Sequence, residues 1–226
     1  MGLNLGVLVS GSGTNLESII KSIKKGALDA KINVVISNNP DAYALIRAKK
    51  NNIPAISISH KKFISRELHE KEILNVLKEY NVDLVVLAGY MRIITAHFVS
   101  RYANRILNIH PALLPSFKGI DGQGQAIEYG VKLAGATVHF VDEKMDHGPI
   151  IIQGAVPVHP TDTRDTLAKR ILKIEHRIYP QAISWISEGR VMFNNNKVEI
   201  KSSQKELSNI DDIMPCIINP PLEEGF

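Results

Sequence analysis

Short apolar runs alternate with amphipathic stretches along the first half of the chain. The apolar runs are rich in Val, Ile and Leu, which is typical of buried strands. The stretches between them repeat apolar residues every three or four positions, as helices packed on a sheet do. The pattern predicts strands at 5–9, 32–37, 55–58, 83–89 and 106–110. It predicts helices at 15–25, 42–50, 66–80 and 96–102, the third of them capped by Ser65.

The pattern changes after residue 110. Two apolar runs at 136–141 and 150–158, separated by a polar turn, are typical of an antiparallel pair. A long helix follows from residue 161 or 162 to Gly189, and Pro180 is expected to kink or split it. Residues 191–200 are typical of a final hairpin or edge strand. We therefore predict an α/β fold with a doubly wound, mostly parallel sheet, Rossmann-type in its N-terminal half, and an antiparallel C-terminal extension.

Composition and charge narrow the class of protein. The 226 residues are 44% hydrophobic and 22% charged, which is ordinary for a globular protein. The net charge of +4 suits anionic small substrates, but no basic run interleaved with aromatic residues indicates nucleic acid. The single cysteine, Cys216, excludes an intrachain disulfide. With no signal peptide and no apolar run of bilayer length, we expect a cytoplasmic protein without membrane contact. The polar tail, 201–226, is expected to be loosely held.

A turn with two glycines, Ser10-Gly11-Ser12-Gly13-Thr14-Asn15, joins the first strand to the first helix. Free backbone N–H groups and the helix dipole at such a turn favour phosphate binding. The turn is not a Walker A loop, because no Lys follows its glycines, and it lacks the third glycine of a dinucleotide fingerprint. The turn alone leaves two interpretations open: a phosphate site, or a tight turn without a ligand.

Asn108 and His110 lie at the end of the strand predicted at 106–110. Side chains alternate along a strand, so these two point to the same face, and Pro111 ends the strand. The carboxyl ends of strands carry the active sites of open α/β sheets. An amide donor beside a titratable imidazole therefore indicates a candidate catalytic pair, although a lone His is more often a core or surface residue.

Asp146 lies in the polar turn at 142–149, where carboxylates are solvated by default. A catalytic role requires it to approach His110, where it would favour the imidazolium, and the spacing in sequence does not establish that contact. No cluster of His, Cys, Asp and Glu has the spacing of metal ligands, so we predict no metal. The Gly-x-Ser-x-Gly elbow of serine hydrolases is also absent from the sequence.

Together these segments resemble the phosphoribosylglycinamide formyltransferases, the folate-dependent enzymes of purine synthesis. The resemblance runs from about residue 5 to residue 193, and it is carried by 10–16, 87–93, 107–115 and 138–149. The Asn-x-His-Pro-x-Leu-Leu-Pro segment is shared by formyltransferases generally. The glycine turn and the segment Glu175-His176-Arg177-Ile178-Tyr179-Pro180 narrow the match to these enzymes and their deformylase cousins.

The resemblance implies a role for each matching residue. The catalytic group would consist of Asn108, His110 and Asp146. The phosphate of the acceptor substrate would be held by Gly13, Thr14 and Asn15, and the ribose hydroxyls by Glu175. Arg66 would lie near the part of the folate beyond its pterin. The residues that would contact 10-formyltetrahydrofolate, the co-substrate, are Met91, Arg92, Ile93, Ile94, Asn108, Asp142, Glu143, Lys144, Met145 and Asp146.

The resemblance also implies the domain organisation and the reaction. Residues 1–200 would form one formyltransferase domain, with a phosphate-binding half at 1–110 and a folate-binding and C-terminal half at 111–200. The enzyme would transfer the formyl group of 10-formyltetrahydrofolate to the amine of phosphoribosylglycinamide, as a monomer or homodimer whose partners are small-molecule substrates. Two alternatives stay open. One is a formyltetrahydrofolate deformylase, in which water replaces the amine, and the other is a nucleotide-binding module without catalysis.

Overall fold

The computed structural model describes residues 2–195, 197–203, 205–207 and 215–226. Strands and helices alternate through the first half: β1 (Leu3–Val9), α1 (Thr14–Lys24), β2 (Ala30–Ser37), α2 (Tyr43–Lys50), β3 (Ala55–Ser57), α3 (Arg66–Glu79), β4 (Leu84–Leu87), α4 (Ala96–Arg101) and β5 (Ile106–His110). The second half adds α5 (Gly122–Tyr129), β6 (Leu133–Phe140), β7 (Ile150–Pro157), α6 (Arg164–Ser187), β8 (Val191–Asn194), β9 (Lys197–Ile200) and β10 (Ile217–Asn219). Ser65 caps α3 as predicted, because its hydroxyl accepts the Leu68 N–H.

Eight strands form one sheet in the order β10-β7-β6-β5-β4-β1-β2-β3. The five strands β3, β2, β1, β4 and β5 run parallel to one another. The strands β6, β7 and β10 extend this sheet in antiparallel fashion, and β8 and β9 form a separate hairpin. The prediction of a doubly wound, mostly parallel sheet with an antiparallel C-terminal extension is confirmed.

Helices cover both faces of the sheet, which explains why its central strands are apolar throughout. In β1, Val7 packs into the cluster that includes α1 and α6, whereas Leu8 packs into the cluster formed with α3 and α4. The hydroxyl of Tyr179, on α6, is fully buried, 3.0 Å from the carbonyl oxygen of Leu87 and 3.1 Å from that of Leu107. The helix α6 therefore braces β4 at its carboxyl end and β5 near its start.

The helix α6 runs through Pro180 as one element of 24 residues, so the expectation that Pro180 splits it is wrong. A proline inside a helix costs about 3 kcal/mol, because it removes one backbone hydrogen bond and crowds the preceding turn. Burial of neighbouring side chains such as Ile178, Tyr179 and Ile183 offsets this cost. Neither α6 nor any other helix in the described ranges is long and apolar enough to cross a membrane.

The sequence pattern did not predict α5. Asp121 caps this helix by accepting the Gly124 N–H, and Gly130 ends it in the left-handed conformation at φ 80°. Two glycines in its first turn weaken the helix propensity, and only Gly122 and Ala126 in it are buried. The hydrophobic periodicity that marks the other helices is therefore missing here.

The tail is not loosely held over residues 215–226, contrary to the expectation. The strand β10 pairs antiparallel with β7, and Leu222 and Phe226 are buried. Arg190 Nη2 lies 2.7 Å from Glu223 Oε1 and ties this segment to the end of α6. A few apolar positions inside a polar composition suffice to attach it. Residues 208–214 lie outside the described residues, and the domain boundary at residue 200 stays a prediction.

Candidate active site

The strand order reverses between β1 and β4. From β1 the chain proceeds outward to β2 and β3, whereas β4 leads outward to β5 on the other side. Such a switch point leaves a crevice at the carboxyl edge of the sheet, where open α/β proteins bind their ligands. The glycine turn follows β1, residues 88–94 follow β4, and Asn108 and His110 end β5. All three candidate segments therefore meet at this edge.

Asn108 is oriented by a residue on the next strand. Its Nδ2 lies 3.2 Å from Nε2 of His139, which stands opposite it in the β5–β6 ladder. His139 Nδ1 lies 2.8 Å from the Phe140 carbonyl oxygen, to which it donates. Burial lowers the pKa of His139, although the Phe140 carbonyl and the Asp146 carboxylate oppose that shift. The neutral ring with its proton on Nδ1 accepts at Nε2, so the Asn108 amide group must donate to it.

The sequence reasoning missed His139. The signal lay in β6, where Thr137 and His139 alternate with Val138 and Phe140 and so place two polar side chains on one face. Thr137 has its own function in the fold: its hydroxyl donates to the Ala112 carbonyl and accepts the Leu114 N–H. Finding His139 from sequence would have required knowing that β6 pairs with β5.

His110 has distinct partners at its two ring nitrogens. Nε2 lies 2.8 Å from the carbonyl oxygen of Phe117, and Nδ1 lies 3.5 Å from Oδ2 of Asp146. A carbonyl can only accept, so Nε2 carries a proton in either charge state. Proton exchange is therefore left to Nδ1, the nitrogen that faces Asp146. Phe117 has a φ of 52°, in the left-handed region that few non-glycine residues adopt, which aims its carbonyl at the ring.

Asp146 reaches the imidazole from the loop between β6 and β7. Its Oδ2 accepts the Gly119 N–H at 2.8 Å, and its Oδ1 lies 3.9 Å from His139 Nε2. Its side chain is only 11% exposed, so its charge acts in a partly desolvated place. The structure therefore brings Asn108, His110 and Asp146 together, the contact that spacing in sequence could not establish. Their catalytic roles remain predictions.

The glycine turn opens α1 without a capping side chain. Gly13 has a φ of 71°, and a Cβ added there would lie 2.9 Å from the Ala44 Cα, so only glycine fits. Arg47 donates from Nε to the Ser12 carbonyl at 2.9 Å and braces the turn. The first N–H groups of a helix have no partner within it, and at α1, which has no capping side chain, they favour an anion.

Asn15 and Glu175 form a buried pair beside this turn. Asn15 Nδ2 donates to Glu175 Oε2 at 2.7 Å, and burial raises the pKa of the Glu175 carboxyl although this hydrogen bond opposes the shift. Asn15 Oδ1 is buried and has no partner among the described residues. A buried acceptor left open is costly, so it favours a ligand hydroxyl that donates to it.

A cavity of about 590 Å³ opens at Thr14 between α1 and α6. Its positive lining includes Lys21 and Arg47, which together with burial lower the pKa of His176. Positive charge on this side of the turn favours an anionic ligand at the N-terminus of α1.

The predicted folate residues lie in two exposed segments and on α3. Met91, Ile93 and Met145 are apolar and are 72%, 59% and 52% exposed. Arg92 and Ile94 are half-buried, and Glu143 and Lys144 are exposed. Arg66 is exposed at the first residue of α3, and no hydrogen bond or ion pair among the described residues joins it to either segment.

Asp142 shapes the loop that ends in Asp146. Its carboxylate accepts from His147 Nδ1 at 2.7 Å and from the Lys144 N–H at 2.9 Å. Burial works against the ionised form, but these hydrogen bonds outweigh it and lower the pKa of Asp142. Within the described ranges, no group of three or more His, Cys, Asp or Glu side chains could hold a metal ion.

Known proteins are similar to this chain in sequence and in fold. The formyl transferase family matches residues 3–183. The phosphoribosylglycinamide formyltransferase of Escherichia coli strain K12 is 42% identical over 194 residues, which cover 86% of this chain and 92% of that protein. The trifunctional purine biosynthetic protein adenosine-3 of Drosophila melanogaster is 45% identical over 83% of this chain, but the chain spans only 14% of its length.

Solved structures give the same result. Glycinamide ribonucleotide transformylase 1 from Symbiobacterium toebii has a TM-score of 0.87 and 46% identity, covering 89% of this chain and 95% of that chain. A formyltetrahydrofolate deformylase from Pseudomonas putida KT2440 is more distant, with a TM-score of 0.80 and 30% identity over 89% of this chain and 71% of that one.

The fold and the matched residues define a formyl transferase domain. An identity of 42% over 92% of a relative's length then narrows the class of formyl transferase. The chain belongs to the phosphoribosylglycinamide formyltransferases, which confirms the resemblance seen in the sequence.

Proposed function

We propose that the protein transfers the formyl group of 10-formyltetrahydrofolate to the amine of phosphoribosylglycinamide, a step of de novo purine synthesis. The observation that carries this proposal is the convergence of Asn108, His110 and Asp146 at the switch point. The glycine turn follows β1 and residues 91–94 follow β4, so both lie at the same carboxyl edge of the sheet as these side chains. Membership in an enzyme family also favours catalysis over a nucleotide-binding module.

The chemistry begins when the amine attacks the formyl carbon and negative charge develops on the formyl oxygen. One N–H of the Asn108 amide is held by His139, and the other is free to donate to this oxygen. His110, when protonated at Nδ1, donates a second hydrogen bond. A preorganised donor of this kind lowers the barrier by roughly 3 kcal/mol.

Two proton transfers complete the reaction. The attacking amine loses a proton, and the leaving nitrogen of tetrahydrofolate gains one. His110 Nδ1 can relay a proton between them, because Nε2 stays committed to the Phe117 carbonyl. Asp146 Oδ2 lies 3.5 Å from His110 Nδ1 and accepts the Gly119 N–H, which holds the carboxylate in place. No covalent intermediate on the enzyme is needed.

The acceptor binds through Gly13, Thr14, Asn15 and Glu175 in this proposal. Its phosphate accepts from the free N–H groups at the start of α1. A ribose hydroxyl donates to Asn15 Oδ1, the buried oxygen without a partner, and Glu175 binds the neighbouring hydroxyl. In this proposal the glycinamide amine points toward Asn108 and His110.

The folate binds across the exposed apolar side chains of the site. Residues 91–94 and the loop at 142–146 enclose its pterin, and Asn108 reaches its formyl group. Arg66 pairs with an anionic end of the folate, which suits an exposed cation at the start of α3. We propose that the enzyme acts in the cytoplasm on these small molecules, without nucleic acid, as a monomer or homodimer.

The test is to mix the protein with 10-formyltetrahydrofolate and to follow the absorbance of deformylated folate with and without phosphoribosylglycinamide. Formyl loss that requires the acceptor supports the proposal. Equal formyl loss without acceptor identifies the deformylase instead, and binding of both ligands without formyl loss identifies a non-catalytic module. Mass spectrometry of the acceptor, expected to gain one formyl group, provides the second readout.

A further inference from the structure

Ser10 joins the two segments that flank the switch point. Its backbone N–H donates to the Gly89 carbonyl at 3.1 Å, and its hydroxyl oxygen accepts the Met91 N–H at 2.8 Å. Ser10 leads directly into the glycine turn that precedes α1, whereas Gly89 and Met91 follow β4. One residue thus makes two hydrogen bonds from the acceptor side of the site to the folate side.

Asn38, which follows β2, fixes the direction of the Ser10 hydroxyl. Asn38 is buried, and its Oδ1 lies 2.6 Å from Ser10 Oγ. An amide oxygen can only accept, so the single hydroxyl proton points to Asn38 and the lone pairs are left for the Met91 N–H. His60 Nδ1 lies 3.3 Å from both Asn38 Nδ2 and the Asn38 carbonyl oxygen. The ends of three strands are therefore joined through one hydroxyl.

The segment at 88–94 is held by Tyr90 and Ile94, which pack against the core cluster formed with α3 and α4, and by backbone contacts at Ala88, Gly89 and Met91. Its side chains at Met91 and Ile93 point outward and are mostly exposed, so they do not anchor it in the core. Ala88 is held by the strand ladder to Leu8, and Ser10 extends that attachment to Met91. When the glycine turn becomes more rigid, the Ser10–Met91 hydrogen bond makes the backbone proposed to meet the pterin more rigid as well.

We propose that Ser10 is a positioning residue that couples acceptor binding to folate binding. This inference rests on the proposed function, since it needs both ligands to bind beside the switch point. A phosphate at the start of α1 holds the glycine turn, and Ser10 transmits that order to the Met91 backbone. Folate binding then costs less conformational entropy in the protein, because the Met91 backbone is already ordered. The coupling is reciprocal, so the folate tightens acceptor binding by the same factor.

Ser37 provides a matched control. Its hydroxyl also donates to a carbonyl and accepts a backbone N–H, at 2.8 Å and 3.1 Å, but both groups belong to Asn39 in its own loop. Ser37 is fully buried, and Ser37→Ala leaves the side chains of Ser10 and Asn38 and the Met91 N–H in place. It separates loss of a buried hydroxyl from loss of coupling.

The experiment measures the dissociation constant of an unreactive 10-formyl folate analogue, with and without saturating phosphoribosylglycinamide. In the wild type the acceptor should tighten analogue binding by about fivefold or more, the usual lower range of such coupling. Ser10→Ala should bring this ratio to about one, whereas Ser10→Thr and Ser37→Ala should keep it. A ratio of one in the wild type, or an unchanged ratio in Ser10→Ala, overturns the proposal.

A second measurement needs no variant. Adding phosphoribosylglycinamide alone to the wild type should slow deuterium exchange at the Met91 amide, because its acceptor Ser10 becomes more fixed. Equal exchange with and without the acceptor overturns the coupling even if Ser10→Ala does not fold. Failure of the proposed function is seen separately as absence of formyl transfer in the wild type, since both binding measurements use no turnover.

Discussion

His139 Nε2 accepts the amide N–H of Asn108 at 3.2 Å, across the β5–β6 ladder. Without this contact the Asn108 side chain could rotate away from the formyl oxygen. We therefore expect His139→Ala to lower kcat by about tenfold to a hundredfold, below the loss for removing an oxyanion donor outright. The Michaelis constants should change little, because the contact holds a group that acts mainly in the transition state.

A double-mutant cycle checks that assignment. If His139 acts through Asn108, then the His139→Ala substitution should cost little in a protein that already carries Asn108→Ala. The measurement is kcat for the wild type, both single variants and the double variant. Fully additive losses would show that His139 acts independently of Asn108.

Removal of the His110 ring should abolish most turnover. His110→Ala deletes both the second donor to the formyl oxygen and the proton relay, and general acid–base groups contribute about a hundredfold to ten-thousandfold. Folate affinity should stay nearly constant, because the ring is 5% exposed and its proposed role is to act on the formyl group in the transition state. His159→Ala, which removes an exposed histidine, is the control. Near wild-type kcat in His110→Ala would contradict the assignment.

Stability should fall with decreasing pH because His139 is buried in its neutral form. Burial lowers the pKa of His139 below the 6.5 of an unperturbed histidine, so the unfolded chain takes up a proton first. The contribution of His139 is therefore present above that value and is lost as the pH falls through the lowered pKa. Urea unfolding between pH 7.5 and about 5 should show a steeper loss in the wild type than in His139→Gln. Equal slopes would mean that His139 titrates alike in both states.

We expect Glu175 to strengthen acceptor binding and to lower the free energy of unfolding at neutral pH. Burial raises the pKa of its carboxyl, so the ionised form is disfavoured in the folded state and stability falls as the pH rises through the raised pKa. Glu175→Gln should therefore unfold at higher urea than the wild type at pH 7, with the gain vanishing below the ordinary carboxyl pKa. Acceptor affinity should drop about tenfold, the effect of losing a hydrogen bond to a charged group. A variant that is less stable at pH 7 would contradict this account.

The sequence was sufficient for features that depend on short-range patterns. Strand and helix alternation predicted the parallel half of the sheet, and the period of two placed Asn108 and His110 on one face. It also identified the glycine turn before α1, because the special backbone of Gly13 is local. These features need no knowledge of which strands pair.

Long-range features could not be obtained in this way. The approach of Asp146 to His110 depends on the β6–β7 connection folding back over the end of β5, which no local spacing encodes. His139 became visible only once β6 was known to pair with β5. The continuity of α6 through Pro180 depends on burial against the sheet, and β10 depends on a free edge at β7. In each case tertiary packing overrides the local signal.

Tyr179 fixes the distance between β4 and β5, although it is not among the residues proposed to contact a substrate. Its phenol oxygen sits between carbonyls of two adjacent strands, one leading to the pterin segment and the other to the catalytic amide. It lies one helical turn beyond Glu175, the residue proposed to bind the ribose. A substitution in that turn of α6 would alter the distance between the formyl donor and the acceptor amine. Substitutions far from the reacting carbon can therefore change the rate by misalignment alone.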